Sequence, residues 1–373
     1  MNKTLLSSMH IFSLRLILLA ALCISSLAVH AQVSTPKYSN EFLNIGVGGR
    51  ALGMGNVQSA IASDATAGYW NPAGLLTLKD KYNVALMHSE LFAGIAKNDF
   101  GSFAMPLDEK SALGISVIRL GVDDIADTRR LQNEYGYIQY DSIKFFSVAD
   151  YALILSYARK SNLIEGLSLG ANAKLIYRNV GDFANAYGFG IDVGAQLQRG
   201  TWQFGVMAKD VTTTFTAWTH NVEELEKAYL QTGNDLPENN AELTLPRLVL
   251  GVGKSFKITD QFSALLATDI DFTFDGRRNV LLKSDVVSVD PHIGLELAYA
   301  NTVFVRGGLN NYQETRNFNG GTDKRVQPNF GIGFKTNGLN LDLALSRIND
   351  KESNSISSAS TSSVIVSLGY SFN

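Results

Sequence analysis

The sequence predicts an all-β fold, a 14-stranded antiparallel transmembrane β-barrel with an N-terminal plug or hatch segment. Three observations predict it. An export-type leader precedes a chain without a long apolar run, period-2 strands of membrane-spanning length follow, and their connections alternate between short and long. The predicted organisation is a signal peptide over residues 1–31, a periplasmic or lumenal plug over 32–80 and the barrel over 81–373.

The leader has the three parts of a secretory signal peptide. Lys3 and Arg15 precede an apolar run, and Val29-His30-Ala31 provides a small-residue cleavage site that leaves Gln32 as the mature start. A transmembrane anchor is the alternative, but the apolar run is short and interrupted by serines. The leader predicts export through the general secretory pathway.

Composition narrows the class further. Cys23, the only cysteine, lies in the leader, so a large core or a membrane must stabilise the mature chain without disulfides. The net charge of −3 is spread out and forms no basic face, which argues against a nucleic-acid partner. No cofactor or metal is predicted, because His88, His220 and His292 lack metal-ligand spacing. Gly46-x-Gly48-x-x-Ala51 lacks the preceding strand of a dinucleotide-binding unit.

The strand pattern is clearest over Ala186–Gln198, where one face carries Tyr187, Phe189 and Ile191 and the other carries Asp192 and Gln196. Gly166–Asn179 and Phe262–Phe272 repeat this alternation. Soluble strands typically have about 5–6 residues, whereas tilted membrane-spanning strands need about 9–11. The length therefore favours strands whose apolar face meets outer-membrane lipid and whose polar face lines a wet lumen.

Fourteen strands are predicted, an even number as bacterial barrels require. They lie near residues 82–92, 99–106, 112–120, 148–159, 166–178, 186–198, 201–210, 247–256, 262–274, 290–300, 302–310, 327–336, 338–347 and 363–373. Short connections (107–111, 199–200, 257–261, 301–302, 336–338) alternate with long ones (121–147, 211–246, 275–289, 311–326, 348–362). This rhythm is typical of periplasmic turns and extracellular loops, and the last strand ends near an aromatic, Phe372.

The segment before the first strand is rich in glycine, which lets its backbone turn tightly and approach the barrel wall. Asp64 is expected to cap a short helix over 65–69, and Asn71-Pro72 to end it. Tyr69 and Trp70 are expected to pack against the lumen. The candidate plug or gate residues are Gly46, Gly48, Gly49, Arg50, Gly53, Gly55, Asp64, Tyr69, Trp70, Asn71 and Pro72. Pure fold specification without ligand contact is the alternative.

Three runs of this segment resemble a known signature. Arg50-Ala51-Leu52-Gly53-Met54-Gly55, Asp64-Ala65-Thr66-Ala67 and Tyr69-Trp70-Asn71-Pro72-Ala73-Gly74-Leu75 resemble the N-terminal signature of the PorV/PorQ proteins, FadL-related outer-membrane barrels of Bacteroidetes and their relatives. The resemblance to PorV implies an accessory role in type IX protein secretion or in surface attachment of its cargo, with a secretion pore or exported proteins as partners. The resemblance to FadL implies the alternative, a channel for hydrophobic small molecules.

Two further features bear on function. The long connection 211–246 is a possible docking loop, with Trp218, Leu225 and Tyr229 as its candidate contacts and helical spacing over 221–231. A lid packed on the barrel mouth is the alternative. Asp269-x-Asp271 and Asp290-x-His292 are expected on neighbouring strands facing inward, where they could activate water. Lumenal polar residues that satisfy one another are the favoured interpretation, so the chain is not predicted to be an enzyme.

Overall fold

The computed structural model describes residues 35–133, 135–232, 235–237, 239–316, 321–348 and 361–373. The predicted signal peptide lies outside the described residues and stays a prediction. No helix in the described ranges is both long and apolar enough to cross a membrane.

Within the described residues, fourteen strands close into one antiparallel barrel, because β1 pairs with both β2 and β17. The barrel strands are β1 Tyr82–Leu91, β2 Ala96–Asp108, β3 Ser111–Asp127, β4 Lys144–Lys160, β5 Leu167–Val180, β6 Ala184–Arg199, β7 Trp202–Lys209, β10 Arg247–Lys257, β11 Phe262–Thr273, β13 Ser288–Tyr299, β14 Val303–Arg316, β15 Thr322–Thr336, β16 Leu339–Ile348 and β17 Thr361–Phe372. The predicted antiparallel barrel of fourteen strands and each predicted strand are confirmed, and the N-terminal plug stays a prediction.

Short strands also form inside regions predicted to be loops. Among the described residues these are β8 Thr214–His220, β9 Ala241–Thr244 and β12 Leu282–Lys283. Strands β3 and β4 continue into the predicted loop 121–147, and β14 and β15 continue into 311–326. Hydrogen bonding between these paired strands extends well past the residues that alternate between apolar and polar, so the sequence pattern underestimated the length of the strands.

One strand of the barrel is broken. Both β7 and β8 pair with β6, and the residues between them leave the ladder, with Asp210 and Thr213 at left-handed φ values of 55° and 57°. Buried Lys174 contacts Asp192 at 2.6 Å and Asp210 at 2.5 Å across this break. The ion pairs therefore close the wall where backbone pairing is interrupted.

The two ends of the barrel differ. At the turn end, which carries the start of β1 and the end of β17, the strands are joined by residues 109–110, 161–166, 200–201, 258–261, 300–302 and 337–338. The opposite loop end carries the connections 128–143, 210–246 and 274–287. Two loop-end connections, 92–95 and 181–183, are short, so the predicted alternation of lengths does not hold everywhere.

The barrel is apolar outside and polar inside. Outward side chains such as Tyr187, Leu266 and Val366 are exposed, whereas the inward Asp192 and Asp269 are buried. Aromatic contacts lie near both ends of the outer surface: Tyr82 with Phe103 and Phe372, and Tyr177 with Tyr151 and Tyr187. An apolar band between aromatic girdles is the surface that a barrel presents to lipid.

This surface predicts a depth-dependent cost for an added charge. Val366→Arg, in the middle of the outer face of β17, should cost about 2–4 kcal/mol of folding free energy in lipid vesicles, since the cation is placed in hydrocarbon. Tyr370→Arg on the same face lies nearer the turn end and should cost about 0–1 kcal/mol. Urea unfolding of vesicle-inserted protein measures both. Equal costs would contradict a membrane-facing surface.

Candidate functional site: the occupied lumen

Residues 35–81, called here the N-terminal segment, contact both ends of the barrel. At the loop end the Tyr38 amide donates to Asp275 Oδ2 at 3.1 Å, and at the turn end the Lys81 amide donates to Asn373 Oδ1 at 3.1 Å. Between these points the segment forms short helices: the 3₁₀ turns Glu41–Asn44 and Pro72–Thr77, and the α-helices α1 Gly49–Gly53 and α2 Ala67–Trp70. The backbone of this segment thus follows the lumen along its length.

The segment is braced by its own aromatic side chains. Tyr69 donates its hydroxyl to Leu43 O at 2.8 Å and accepts the Gly46 amide at 3.1 Å, while Trp70 Nε1 donates to Val47 O at 3.0 Å. Gly46 has a φ of 104°, a conformation that L side chains rarely adopt. The expected packing against the lumen wall is thus only part of their role, because their polar atoms bond within the segment.

Asp64 and Asn71 organise the second half of the segment. The helix predicted over 65–69 lies instead at Ala67–Trp70, and Asp64 does not cap it: its Oδ1 accepts the Thr66 amide at 2.8 Å in a turn before the helix. Asn71 ends the helix in an extended conformation, and its Oδ1 accepts the Ala73 amide at 3.2 Å after Pro72. The expectation that Asn71-Pro72 breaks the helix is confirmed.

The segment contacts the wall where neither side carries a bulky side chain. A Cβ on Gly53 would lie 3.0 Å from Gly331 Cα, and one on Gly308 would lie 2.2 Å from the Met54 carbonyl carbon. Of the other predicted glycines, Gly48 donates to Met87 Sδ at 3.0 Å, Gly49 donates to Ser367 Oγ at 2.8 Å, and Gly55 lies beside the backbone of Leu309. A Cβ at Gly49, Gly53, Gly55 or Gly308 would lie 3.0 Å or less from another atom, whereas the nearest atom to one at Gly48 is Thr66 Cγ2 at 3.5 Å, an ordinary contact.

Arg50 ties the segment to the wall through a buried ionic network. Its Nε donates to Glu296 Oε2 at 3.0 Å and its Nη2 to Glu296 Oε1 at 3.2 Å. Glu296 also accepts Arg306 Nε at 2.6 Å, and Arg306 Nη1 donates to Asp342 at 2.6 Å. We call these four residues the Arg50 latch. Sequence analysis missed the three wall residues, although they occupy inward positions of period-2 strands.

The predicted acid and histidine cluster is assembled, but it anchors the segment. Asp269 pairs in register with His292, and Asp271 with Asp290, as expected for neighbouring strands. Asp269 Oδ2 accepts the amides of Gln58 and Ser59, each at 2.9 Å, and His292 Nδ1 lies 3.0 Å from Gly55 O. Asp271 pairs with Arg247. Asp269 therefore bonds to the segment and Asp271 to a wall cation, while Asp290 Oδ2 lies 3.4 Å from His292 Nε2.

A second clamp holds the segment at the loop end. Arg278 Nη1 donates to Glu41 Oε1 at 2.6 Å, and its Nε donates to Asp275 Oδ1 at 2.7 Å. Burial of Asp275 would raise its pKa, but hydrogen bonds from Arg278 and from the Tyr38 amide outweigh burial and hold the pKa below its ordinary value of 3.8.

This clamp predicts a pH dependence. Because the pKa of Asp275 is lowered in the folded chain, its stabilisation is complete above pH 3.8 and is lost as the pH falls through the lower, folded value. Protease cleavage within residues 35–45 should stay slow from pH 7 to about pH 4 and accelerate below it. Asp275→Asn should be cleaved faster at neutral pH and should show no acceleration below about pH 4. An acceleration of the same size in this variant would assign the pH dependence to other groups.

The lumen has one apolar and one ionic side. On the apolar side the segment packs against inward side chains of β1–β5 and β17, namely Met87, Phe100, Ile118, Ile154, Ile176 and Ile365. The segment contributes Phe42, Leu43, Val47, Leu52, Tyr69, Trp70 and Leu75 to this contact. The Arg50 latch and Asp269 lie on the other side. The apolar side also has hydrogen bonds, since Asn98 Nδ2 donates to Gly46 O at 3.2 Å and Asn172 Nδ2 donates to Gly68 O at 2.9 Å, but the ion pair of Arg50 with the wall lies on the ionic side.

Two cavities flank α1. The loop-end cavity has a volume of about 600 Å³ and includes Leu52 and Asn56 in its lining. The turn-end cavity has a volume of about 420 Å³ and includes Arg50 and Ala51. Because residues of α1 line both, a shift of this helix would bring the two cavities closer to one another.

The predicted docking loop is partly ordered by the barrel. The expected helix is present as α3, Val222–Thr232, and carries Leu225 and Tyr229. Arg129 Nη1 donates to Glu224 O at 2.5 Å, which attaches α3 to the end of β3. Trp218 lies in β8, with the Arg178 guanidinium 5.0 Å from its ring centre. A docking role for these residues stays a prediction.

No cluster of three or more acidic, histidine or cysteine side chains arranged to hold a metal ion occurs among the residues described. No protein-family model matches the chain, and a search of curated proteins finds no match.

Solved structures do match the fold. The toluene transporter TbuX of Ralstonia pickettii and the monoaromatic hydrocarbon channel CymD each superpose with a TM-score of 0.54 at 14% identity over 88% of this chain, covering 99% and 98% of their own. A Pseudomonas aeruginosa FadL homologue matches at 0.50 and 13% identity over 88% of this chain and 98% of its own. The fold is that of FadL-type barrels. The matched region spans 98–99% of the length of each of these three proteins.

Proposed function

We propose that this protein is an outer-membrane channel that passes hydrophobic small molecules, with residues 32–80 as its gate. Its FadL-type neighbours carry the names of toluene and monoaromatic hydrocarbon carriers. The lipid-compatible outer surface supports the membrane location. The leader over residues 1–31 supports export by the general secretory pathway.

The observation that carries the proposal is the apolar contact between the N-terminal segment and one side of the lumen. A hydrocarbon gains free energy when it leaves water for an apolar lining, at roughly 25 cal/mol per Å² of buried surface. Here the apolar contact between the N-terminal segment and β1–β5 includes Leu75 near the turn end and Leu52 beside the loop-end cavity. A small displacement of the segment away from this wall would open an apolar path.

Toluene entry into protein-containing liposomes with an outer leaflet of lipopolysaccharide tests this function, because a plain phospholipid bilayer is itself permeable to an apolar molecule. The wild-type protein should accelerate entry above that of protein-free liposomes. Ile118→Asn places an amide on the apolar side and should slow entry roughly tenfold, since a passing hydrocarbon would strip water from a polar group, at a cost of about 1–3 kcal/mol. Ser346→Asn, on the polar side, is the matched control. Wild-type entry equal to that of protein-free liposomes would overturn the proposal.

A second candidate is an accessory role in type IX secretion or surface attachment, which the resemblance of the Arg50–Gly55 and Asp64–Leu75 runs to PorV/PorQ favours. Trp218, Leu225 and Tyr229 would then contact a secretion pore or exported cargo. Affinity purification from detergent-solubilised outer membranes tests it. Co-purification of a large pore or of sorted cargo, lost on Leu225→Asp, would support this role, and isolation of the barrel alone would contradict it.

A further inference from the structure

The loop-end cavity has a lining unlike that of a hydrocarbon site. Small-molecule pockets of comparable size, about 300–1,000 Å³, are mainly apolar with few polar groups. Here one wall is apolar, with Leu52, Phe92 and Ile365. The opposite wall, on β14 and β15, presents five carboxamides: Asn310, Asn311, Gln313, Gln327 and Asn329.

A bulge in β14 concentrates these carboxamides. Asn310 pairs with Gln327 and Gln313 pairs with Arg325, so β14 has one residue more than β15 over this interval. The extra residue interrupts the two-residue alternation, and Asn310, Asn311 and Gln313 all line the cavity. Regular alternation would have placed Asn311 on the outer surface.

The carboxamides orient one another. Gln313 Nε2 donates to Asn311 Oδ1 at 2.8 Å, Asn311 Nδ2 donates to Gln327 Oε1 at 2.9 Å, and Asn329 Nδ2 donates to Asn310 Oδ1 at 2.8 Å. Each carboxamide has two N–H donors and two acceptor lone pairs, so these bonds leave donors and acceptors available to a ligand. This wall is therefore a fixed array of hydrogen-bond donors and acceptors.

The charges around the cavity are compensated. Arg247 pairs with Asp271, Arg278 Nη1 lies 2.6 Å from Glu41 Oε1, and His292 Nε2 lies 3.4 Å from Asp290 Oδ2. Four buried atoms of these lining residues, Arg247 Nε and Nη1, Asp290 Oδ1 and His292 Nε2, have no hydrogen-bond partner among the described residues. They include donors, on Arg247, and an acceptor, on Asp290. A neutral ligand whose groups both donate and accept fits this pattern better than an anion or a cation.

Four lining residues also have left-handed backbone conformations. The φ angles are 60° at Tyr38, 66° at Asn56, 55° at Phe92 and 52° at Asn311. Phe92 and the next residue, Ala93 with a φ of 60°, form the tight turn between β1 and β2, where positive φ values are usual. Tyr38 and Phe92 line the cavity, and the Arg278 guanidinium lies 4.6 Å from the Tyr38 ring centre.

We propose that the loop-end cavity binds a small neutral saccharide. Each sugar hydroxyl both donates and accepts, as the carboxamide wall requires, and the C–H faces of a sugar ring suit Tyr38 and Phe92. An extended peptide also donates and accepts. β14 pairs with β13 only as far as Leu309 and β15 pairs with β16 only from Asn329, but the groups that line the cavity are side-chain carboxamides, which do not form the backbone ladder of strand addition. The cavity shares Leu52 and Ile365 with the apolar side of the lumen, so the saccharide site lies beside the proposed hydrocarbon path, and the two are tested by separate measurements.

A glycan array tests the site, with protein purified in a polyoxyethylene detergent because that head group contains no sugar ring. Wild-type protein should bind a subset of the neutral mono- to trisaccharides. Gln327→Leu removes the carboxamide in contact with Asn311 at nearly constant volume and should reduce binding at least tenfold. Gln198→Leu, which removes a carboxamide at the turn end, should bind as wild type does. Heat-modifiable gel mobility confirms that each variant is folded.

Three outcomes would overturn this site: no neutral glycan bound by the wild type, equal binding by folded Gln327→Leu, or binding of an immobilised peptide library without glycans. Toluene entry into liposomes distinguishes this failure from that of the channel. A protein that passes toluene and binds no glycan would retain the proposed function and lose the saccharide site.

Discussion

Glu296→Gln should open the channel. The substitution keeps the side-chain shape but removes the carboxylate that accepts hydrogen bonds from Arg50 and Arg306. The Arg50 latch then contains two buried guanidinium groups and one acid, Asp342. Breaking a buried ion pair from one side typically costs about 3–5 kcal/mol. Since each 1.4 kcal/mol is a factor of about ten, the ratio of open to closed channels should rise by about 100-fold or more.

Single-channel recording in planar bilayers measures this ratio as the fraction of time spent conducting. Lys257→Gln is the control, because Lys257 and Asp260 form an ion pair at the turn end with side-chain exposures of 74% and 95%. Exposed pairs contribute little to stability, so this variant should conduct as the wild type does. If Glu296→Gln left the conducting fraction unchanged, the Arg50 latch would not be what keeps the segment in place.

Gly308→Val should displace the N-terminal segment without unfolding the barrel. A Cβ at Gly308 would lie 2.2 Å from the Met54 carbonyl carbon and 2.3 Å from the Gly55 amide nitrogen, and both atoms are backbone. A side chain there cannot be accommodated by rotation, so the segment must move. Amide hydrogen exchange across residues 49–58 should accelerate at least tenfold, because that shift breaks the bonds of α1 to the wall.

Gly307→Val is a control one residue away. No described atom lies within 4 Å of a Cβ at Gly307, so valine there should leave exchange in the segment unchanged. Both variants have the same strand propensity and the same added volume, and only the direction of the side chain differs. Equal acceleration in the two would indicate that β14 itself is destabilised, and the contact with Met54 would lose its assigned role.

Glu296→Gln and Gly308→Val act on the same property, which is the difference between the two sides of the lumen. Directional ionic and hydrogen bonds hold the segment on the side that carries Glu296 and Asp269. Contacts on the side that carries Ile118 and Ile154 are mainly apolar and have no preferred direction, although Asn98 Nδ2 donates one hydrogen bond there to Gly46 O. Weakening the first set should release the segment, whereas altering the second should change which molecules pass.

Sequence alone determined the architecture. Period-2 alternation over strands such as 186–198, combined with their length and the absence of disulfides, sufficed to predict a membrane barrel of fourteen strands. These are local signals, because the apolar face of each strand can be identified from its own sequence without knowing its partners. The same reasoning located Asp269, Asp271, Asp290 and His292 on neighbouring strands, as the pairing of β11 with β13 confirms.

Tertiary structure decided what those inward residues contact. Arg50 meets Glu296 across 246 positions, and Asp269 meets Ser59 across 210. An alternating pattern assigns a side chain to the lumen, but not to a partner, since that choice depends on barrel closure and on the path of the segment inside it. The broken strand at Asp210 and the bulge in β14 were likewise decided by three-dimensional pairing, because one inserted residue changes the facing of its neighbours without changing composition.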